Sequence, residues 1–369
     1  MIGLDEEQLE LRRTVRDFLQ AVSPESEVRR LMETPDGHDR AVWTRLCTEL
    51  GLAGLAVPGE YGGSGCGLVE VGVVMEELGR SLACVPYLSS AVLATTALLL
   101  AGDETLCKEL LPAMVAGELL ATVAVAELSG HWVAEELQTA AVRTPAGWQL
   151  TGEKLFVLDG CTADVVLVLA RDESGGLSLF SVAGSALQRT PMTTLDPTRK
   201  HARLVLDAVP ARLVGELGDG AALLQELRDH VLVALAAEQV GGAERCLEMT
   251  VEHARTRVLF GRPIGSFQAV KHRCADVLVG VSGARSAAYY GLWAAARSSL
   301  DLPVAAQLAA MVASDAYVFA AGENVHLHGG MGFTWEHGAH LHVRRARSSQ
   351  LLLGDPAEHR ELLAQRLGI

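Results

Sequence analysis

The feature of this sequence that most constrains the fold is a double change in hydrophobic periodicity. Up to about Glu118, apolar residues recur every three or four positions, as in EEQLELRRTVRDFLQAV and GLVEVGVVMEELGRSL, which is the spacing of amphipathic helices. From Leu119 to about Val214, short runs such as ATVAVAE, DVVLVLAR and GLSLFSV alternate with glycine turns, a pattern typical of strands. After Gly218 the helical spacing returns. The chain therefore predicts helices, then a sheet, then helices.

The helical segments after Gly218 are longer than those at the start. One apolar stripe continues over many turns, and the segments 268–297 and 304–328 repeat this behaviour; the stripe consists of Leu223, Leu227, Val231, Leu235, Ala243, Leu247, Val251 and Ala254. Helices of this length usually pack antiparallel as a bundle. We predict a mostly α, α+β fold with an N-terminal α-helical domain (1–118), a middle antiparallel β domain (119–215) and a C-terminal four-helix bundle (216–369).

Composition narrows the classes of partner. Apolar residues make up 49% of the 369 residues and charged residues 21%, as in soluble globular proteins. The net charge of −14 argues against nucleic acid, which calls for a basic surface. Seven cysteines without a CxxC pair, together with no signal-peptide pattern, favour reduced thiols and a cytoplasmic location. The longest apolar run, AVLATTALLLAG, is too short to span a bilayer, so no membrane partner is expected.

The stretch RVLFGRPIGSFQAVKHRCAD is the first candidate for a ligand site. We interpret Arg257 and Phe260 as neighbours on one helix face, because they are three residues apart. Gly261 and Pro263 then make a turn, and Gln268 begins the next helix. An arginine, an aromatic ring and a carboxamide could receive a phosphate and a planar ring. The alternative interpretation is a capped helical hairpin without a ligand.

A second stretch, HLHGGMGFTWEHGAHLHVRR, interrupts a strongly helical pattern with glycines. Gly329, Gly330 and Gly332 would let backbone N–H groups approach a ligand closely. The histidines between His326 and His342 lack the spacing of an HExxH helix, so no metal site is predicted. Two such stretches in one bundle indicate a shared nucleotide.

Together with the early GLAGLAVPGEYGGSG loop and the α-β-α order, these stretches resemble the acyl-CoA dehydrogenase family over nearly the whole chain. The resemblance implies an FAD flavoprotein that introduces an α,β double bond into an acyl-CoA thioester. A carboxylate takes the α-proton while hydride leaves the β-carbon for the flavin. An electron-transfer flavoprotein is the implied electron acceptor. By the same resemblance, residues that hold the adenine and pyrophosphate end of an FAD seated mainly in a neighbouring subunit are Arg257, Phe260, Gln268, Gly329 and Gly330, with His326 where many members carry glutamine.

The catalytic base is where the chain departs from the family. The usual glutamate stands just before a Gly-Thr pair, and this chain has Leu353 followed by Gly354 and Asp355. Leucine cannot accept a proton. Asp355 precedes a proline, which is the pattern of a helix N-cap, so we predict a capping role for it.

Other family members place the base early in the first long bundle helix. That position resembles Val231 here, and Asp229 is the alternative carboxylate. A solvated aspartate on the polar face of the helix is the commoner explanation of such a residue.

The segments AVAELSGHW and EKLFVLDG stand where the family carries residues that touch the isoalloxazine, so Phe156 and Leu158 replace a ring and a hydroxyl. The residues that resemble the contacts to the nucleotide end of a neighbouring subunit's FAD are kept. The residues at the positions that touch the isoalloxazine of a subunit's own FAD are altered. The chain thus resembles the base-less subunit of heteromeric α2β2 bacterial sterol side-chain acyl-CoA dehydrogenases, with the base in a partner subunit. Two alternatives stay open: a homo-oligomer with a relocated base, and a non-catalytic acyl-CoA-binding or scaffold protein.

Overall fold

The computed structural model describes residues 3–369 of the chain. Contacts between residues divide the chain into two compact units. We call them the helical unit, which comprises the residues up to Val28, Leu68–Ala83 and Leu232–Ile369, and the sheet unit, which comprises Arg29–Gly67 and Cys84–Val231. This division into units does not test the three sequence-based domain boundaries, which stay predictions.

The sheet unit is built around seven strands. They are β1 (Ala121–Ala124), β2 (Ala140–Thr144), β3 (Gly147–Leu158), β4 (Val165–Arg171), β5 (Leu177–Ala183), β6 (Gln188–Met192) and β7 (His201–Val214). The order is β1-β4-β2-β3-β7-β5, β6 pairs with β7, and β5 also pairs with β4. Because β4 has β2 on one side and β5 on the other, strands β2, β3, β7, β5 and β4 close into a ring around a buried apolar core that includes Leu150, Val166, Phe180 and Leu204.

The sheet differs from the prediction in one respect. Most neighbours are antiparallel as predicted, but β1 runs parallel to β4, with Ala121 opposite Val165, and β2 meets β4 in parallel at Ala140 and Arg171. Parallel neighbours need a long connection between them. Here the chain between β1 and β4 contains the β2–β3 hairpin, so β4 returns in the same direction as β1. The middle region is therefore a mixed sheet rather than a purely antiparallel one.

Short helices complete the sheet unit. Asp39 and Asp103 cap two of them through side-chain bonds to the amides of Ala41 and Leu106, at 2.8 and 3.0 Å, which satisfies N–H groups that a helix start leaves free. The helices that lie wholly in this unit are α3 (Arg40–Thr48), a π-helical segment (Tyr87–Ala94), α5 (Thr95–Ala101) and α6 (Glu104–Val115). Two more belong to it in part, namely α2 (Glu25–Met32) from Arg29 onward and α7 (Gly220–Thr256) as far as Val231.

The helical unit contains α1 (Glu6–Val22), α4 (Leu68–Ser81), α7 from Leu232, α8 (Gln268–Ala296), α9 (Leu302–His328), α10 (Ala339–Leu351) and α11 (Pro356–Leu367). Helices α4 and α7 cross almost backbone to backbone. A Cβ on Gly79 would lie 2.0 Å from the carbonyl oxygen of Glu238, and a Cβ on Gly241 would lie 1.7 Å from that of Glu76. Only glycine fits at such a crossing.

The C-terminal helices share one core. Buried side chains from α7, α8, α9 and α10 meet in a cluster of Ala243, Cys246, Val277, Val281, Tyr317, Ala320, Ala321 and Ala346. The predicted fold class, with helices, a central β region and a C-terminal helical bundle, is confirmed, and α11 follows as an additional helix.

One helix meets the length and hydropathy of a membrane span. It is the segment Leu302–Phe333, with a mean hydropathy of 1.5 in its most apolar window, 61% of which is buried inside the protein. Its residues Tyr317, Ala320 and Ala321 belong to the core cluster of the bundle. Core helices pass the same test of length and composition, and this segment packs as one.

Candidate functional site

The first candidate stretch forms a β-hairpin rather than a helix face. Helix α7 ends at Thr256, and the strands Val258–Leu259 and Arg262–Pro263 pair around a two-residue turn. The turn residues Phe260 and Gly261 have φ of 52° and 76°, the conformation of the tightest hairpin turns. The prediction that Arg257 and Phe260 share a helix face is therefore wrong, because the helix ends before either residue.

The hairpin presents its aromatic ring to the outside. Phe260 is 92% exposed and adopts a left-handed backbone conformation that bulky residues rarely occupy. Its ring lies 6.2 Å from that of Phe267, on which the guanidinium of Arg262 stacks at 4.1 Å. The amide of Ile264 donates to the carbonyl of Arg257 at 2.8 Å and closes the hairpin. The segment is ordered internally while one large apolar side chain stays free to meet another molecule.

The second candidate stretch forms the end of α9 and a 3₁₀ turn, Gly329–Phe333. Gly329 has a φ of 63°, which favours glycine. A Cβ on Gly329 or Gly330 would meet nothing within 4 Å, whereas one on Gly332 would lie 2.9 Å from the carbonyl of Val325. The first two glycines therefore leave the backbone open to a ligand, and the third is required by packing.

Three histidine rings bring the two stretches together. His253, on the last turn of α7, stacks on His328 at a centroid distance of 4.1 Å, and His328 lies 4.3 Å from His337. Burial foremost, and then the electrostatic influence of the neighbouring His328, Arg257 and His337, hold the pKa of His253 below its usual range. The tertiary structure thus places the Arg257 hairpin beside the glycine turn, which the sequence only suggested.

The other two predicted residues are at the surface of the same unit. Gln268 begins α8 as predicted, and its amide nitrogen lies 3.0 Å from Nε2 of His272. The His326 side chain is 72% exposed, with Nδ1 3.6 Å from a Glu323 carboxylate oxygen.

A guanidinium, open backbone amides and exposed rings on one unit fit the nucleotide end of FAD. Arginine and free N–H groups are the donors that bind a diphosphate. Exposed rings such as those of Phe260 and Phe333 can stack on a planar base.

The predicted base position is filled by an apolar side chain. Leu353 is 3% exposed, and it follows α10, which ends at Leu351. The space left around it is about 10 Å³ and is lined partly by Gln239, Ser314 and His359. A leucine in so tight a place neither accepts a proton nor leaves room for a second group.

Asp355 caps α11, as predicted. Its Oδ1 accepts from the amides of Ala357 and Glu358, both at 2.8 Å. These backbone hydrogen bonds, that of Glu358 foremost, hold the pKa of Asp355 below its usual range. A carboxylate stabilised as an anion is a poor acceptor for a substrate proton.

Asp229 differs from the sequence expectation of a solvated side chain. It is 2% exposed on α7, and its neighbours Arg228 and Val231 are buried as well. A buried carboxylate normally has a hydrogen-bond or charge partner, so the fold holds Asp229 in a defined environment. Its proposed role as a base stays a prediction.

In the sheet unit, the carboxylate of the AVAELSGHW segment is used internally. Glu127 accepts from the amides of Gln138 and Thr139, the hydroxyl of Thr139 and the ammonium of Lys154, at 2.7 to 2.9 Å. Lys154 is completely buried, and burial lowers its pKa to about 8 although Glu127 partly restores it. Burial raises the pKa of Glu127, but the hydrogen bond and charge of Lys154 outweigh it and leave that pKa low.

Phe156 and Leu158, predicted to replace the isoalloxazine contacts, lie at the end of β3. Phe156 is 42% exposed with a φ of 55°, its amide faces the sulfur of Met192 at 3.3 Å, and its carbonyl lies 3.1 Å from Nδ1 of His201. Leu158 is buried. An apolar ring is thus displayed at this position.

Sequence reasoning missed the His253–His328–His337 stack and the buried Glu127–Lys154 pair. The partners in each case are 27 or more residues apart in the sequence, except for His328 and His337. A lysine inside a strand of alternating pattern, as in GWQLTGEKLFVL, was the only available signal of the second. Within residues 3–369, no group of three or more His, Cys, Asp or Glu is arranged to hold a metal, and the seven cysteines are reduced thiols.

Comparison with known proteins extends over nearly the whole chain. The family model described as the acyl-CoA dehydrogenase N-terminal domain matches residues 5–118, and that of the C-terminal domain matches residues 218–368. Acyl-CoA dehydrogenase IpdE2 of Mycobacterium tuberculosis is 35% identical over 353 residues, which cover 96% of this chain and 95% of the relative.

Two similar solved structures have names that pair two proteins. The ChsE4-ChsE5 complex from Mycobacterium tuberculosis matches with 32% identity and a TM-score of 0.89, covering 99% of this chain and 98% of the other. A variant of the steroid acyl-CoA dehydrogenase Tcur3481-Tcur3483 matches with 30% identity and a TM-score of 0.87, covering 98% of each chain.

The expected cofactor is confirmed at the level of the family. An acyl-CoA dehydrogenase from Bacillus anthracis, solved in complex with FAD, shares the fold with a TM-score of 0.93 at 23% identity and covers 99% of this chain and 67% of the other. With both terminal domains matched and a relative of this identity aligned along almost its full length, the chain belongs to the acyl-CoA dehydrogenase family.

Proposed function

We propose that this chain is one subunit of a heteromeric α2β2 FAD-dependent acyl-CoA dehydrogenase whose catalytic base is supplied by the partner subunit. The observation that carries the proposal is the buried Leu353 at the base position, beside an Asp355 committed to capping α11. The exposed hairpin and the open glycine turn support a retained role in holding the nucleotide end of FAD.

Each group has a defined part in the proposed reaction. Bound FAD would supply the acceptor for the hydride of the substrate β-carbon, and a carboxylate of the partner subunit would take the α-proton. Arg257 and the amides near Gly329 and Gly330 bind the diphosphate, and Phe260, Gln268 and His326 complete that surface. Electrons then leave to an electron-transfer flavoprotein, and the assembly is cytoplasmic.

The substrate is an acyl-CoA thioester with a bulky, sterol side-chain-like acyl group. Support comes from the two-protein relatives, one of which is named a steroid acyl-CoA dehydrogenase.

The test is to purify the chain alone and together with a candidate partner of the same family that carries a glutamate at the base position. The complex is expected to hold FAD, seen in its visible spectrum, and to dehydrogenate a steroid acyl-CoA. The solitary chain is expected to be inactive. Turnover by the solitary chain would contradict the proposal, and absence of FAD from every complex would favour a scaffold function.

A second candidate is a self-sufficient homo-oligomer that uses Asp229, because that carboxylate is buried rather than solvated. It predicts turnover by the chain alone, abolished in Asp229→Asn. Unchanged turnover in that variant would remove this candidate.

A further inference from the structure

The stack of His253, His328 and His337 lies between the two elements that the proposed function assigns to the diphosphate. His253 precedes Arg257 by one helical turn, and the Arg257 amide donates to the His253 carbonyl at 2.8 Å. His328 directly precedes Gly329. All three rings are half-buried, so a ligand at this surface would change their surroundings.

Hydrogen bonds identify which nitrogens can take a proton. Nδ1 of His328 lies 2.7 Å from the carbonyl oxygen of Asn324, and since a carbonyl only accepts, this nitrogen carries its hydrogen. The amide of Ala339 donates to Nδ1 of His337 at 3.1 Å, so the lone pair of that nitrogen is in use. The ring nitrogens of His253 are therefore the candidate site for proton uptake.

The groups that face His253 oppose a proton on its ring in the absence of a ligand. Arg257 from α7 and His337 from the following loop, like His328 itself, act on His253 as positive or potentially positive groups. Glu323, on the same helix as His328, is engaged with His326 and Arg273 at 3.6 and 3.8 Å. An anion placed beside Arg257 would reverse the balance.

We propose that His253, stacked on His328, is a proton-gated part of the diphosphate site and that its ring takes up one proton from solvent when a diphosphate group binds beside Arg257 and Gly329. The proposal rests on the proposed function, which brings FAD to this surface. Thermodynamic linkage gives the sign of the pH dependence of FAD affinity. Since the bound state holds more protons, affinity rises as pH falls, by at most about tenfold per pH unit for one proton.

The experiment measures FAD binding to the apo form of the complex with the partner by calorimetry at pH 8 and pH 6.5, in two buffers of different ionisation enthalpy. The expected result is uptake of up to one proton and binding about fivefold tighter at pH 6.5. In His253→Gln, which leaves the His328 bond to Asn324 in place, the pH dependence should fall to about twofold or less. The matched control is His38→Gln in the sheet unit, whose ring lies 3.0 Å from the Asp36 carbonyl.

Several outcomes would overturn the inference. These are binding without proton uptake, or a pH dependence that His253→Gln leaves unchanged while melting shows a folded protein. A parallel titration with CoA, which also carries a diphosphate, separates the two sources, and a His253 effect confined to CoA would overturn the assignment to FAD. A complex that binds FAD independently of pH removes this inference alone, whereas one that binds no FAD removes the proposed function with it.

Discussion

The helical unit and the sheet unit differ in how the polar groups of their predicted site segments are used. In the helical unit, the residues that resemble a nucleotide site are exposed, and the backbone at Gly329 and Gly330 is open. In the sheet unit, Glu127 is already bonded to three residues, among them the buried Lys154. Polar groups that already form hydrogen bonds with each other are poor contacts for a ligand, because breaking those bonds costs free energy. The proposed contact with the nucleotide end of FAD therefore falls on the helical unit.

The largest expected effect tests whether the Glu127–Lys154 pair is structural. Lys154→Met should lower the free energy of unfolding by about 3–5 kcal/mol, since it leaves a partly buried carboxylate without its charge partner. FAD affinity of the folded complex should not change. The control on the same strand is Glu153→Gln, which breaks the exposed pair with Arg203 and should leave denaturant unfolding unchanged within error. A stable Lys154→Met variant that loses FAD would give the sheet unit a binding role.

The same lysine gives a pH dependence of stability. Its folded pKa of about 8 lies below the ordinary value of 10.5, so between these values the unfolded chain binds more protons. Stability from this group therefore rises from pH 8 to 10.5 and is lost as pH falls back through 8. Denaturant unfolding at several pH values should show the rise in the wild type. The slope should be smaller in Lys154→Met.

A substitution at Leu353 tests the position where the family resemblance predicts a catalytic base and this chain has a packed leucine. Leu353→Ala should cost about 2–4 kcal/mol of unfolding free energy, because the side chain is buried with little free space around it. Turnover of the heteromer per folded complex should be unchanged. A large loss of kcat at unchanged stability would contradict a purely structural role.

A substitution at Arg257 tests whether the exposed surface of the helical unit binds FAD. Arg257→Gln should weaken FAD binding by the complex about 10- to 100-fold, which corresponds to the loss of a charge-assisted hydrogen bond. Stability should hardly move, since the side chain is exposed. Arg212→Gln, at an exposed arginine paired with Glu109 in the sheet unit, serves as the control for lost charge, and equal losses of FAD in both variants would refute a specific contact.

The smallest effect concerns Asp355. Asp355→Ala should lower stability by about 1 kcal/mol through loss of the helix cap. Asp355→Asn should restore most of it, because an asparagine oxygen also accepts from N2 and N3. Activity should be unaffected in both variants. If the asparagine variant were stable but inactive, Asp355 would have to be regarded as a base.

The periodicity of the sequence determined the fold class, because helix and strand periods depend on local geometry and burial alone. The Asp355-Pro356 pair indicated the cap of the last helix, and the resemblance to the family predicted that Leu353 stands where a carboxylate is usual. The α7 end and the Phe260–Gly261 turn were misread, since spacing by three cannot show where a helix stops.

Only the tertiary structure determined the contacts between residues that are distant in the sequence. The parallel pairing of β1 with β4, the buried state of Asp229, and the stack of His253 on His328 all depend on which segments meet. No local pattern carries that information, because the energy of burying or stacking a side chain is set by its neighbours in space. The sequence by itself determined the order of helices and strands, and the fold determined which polar groups are gathered in one place.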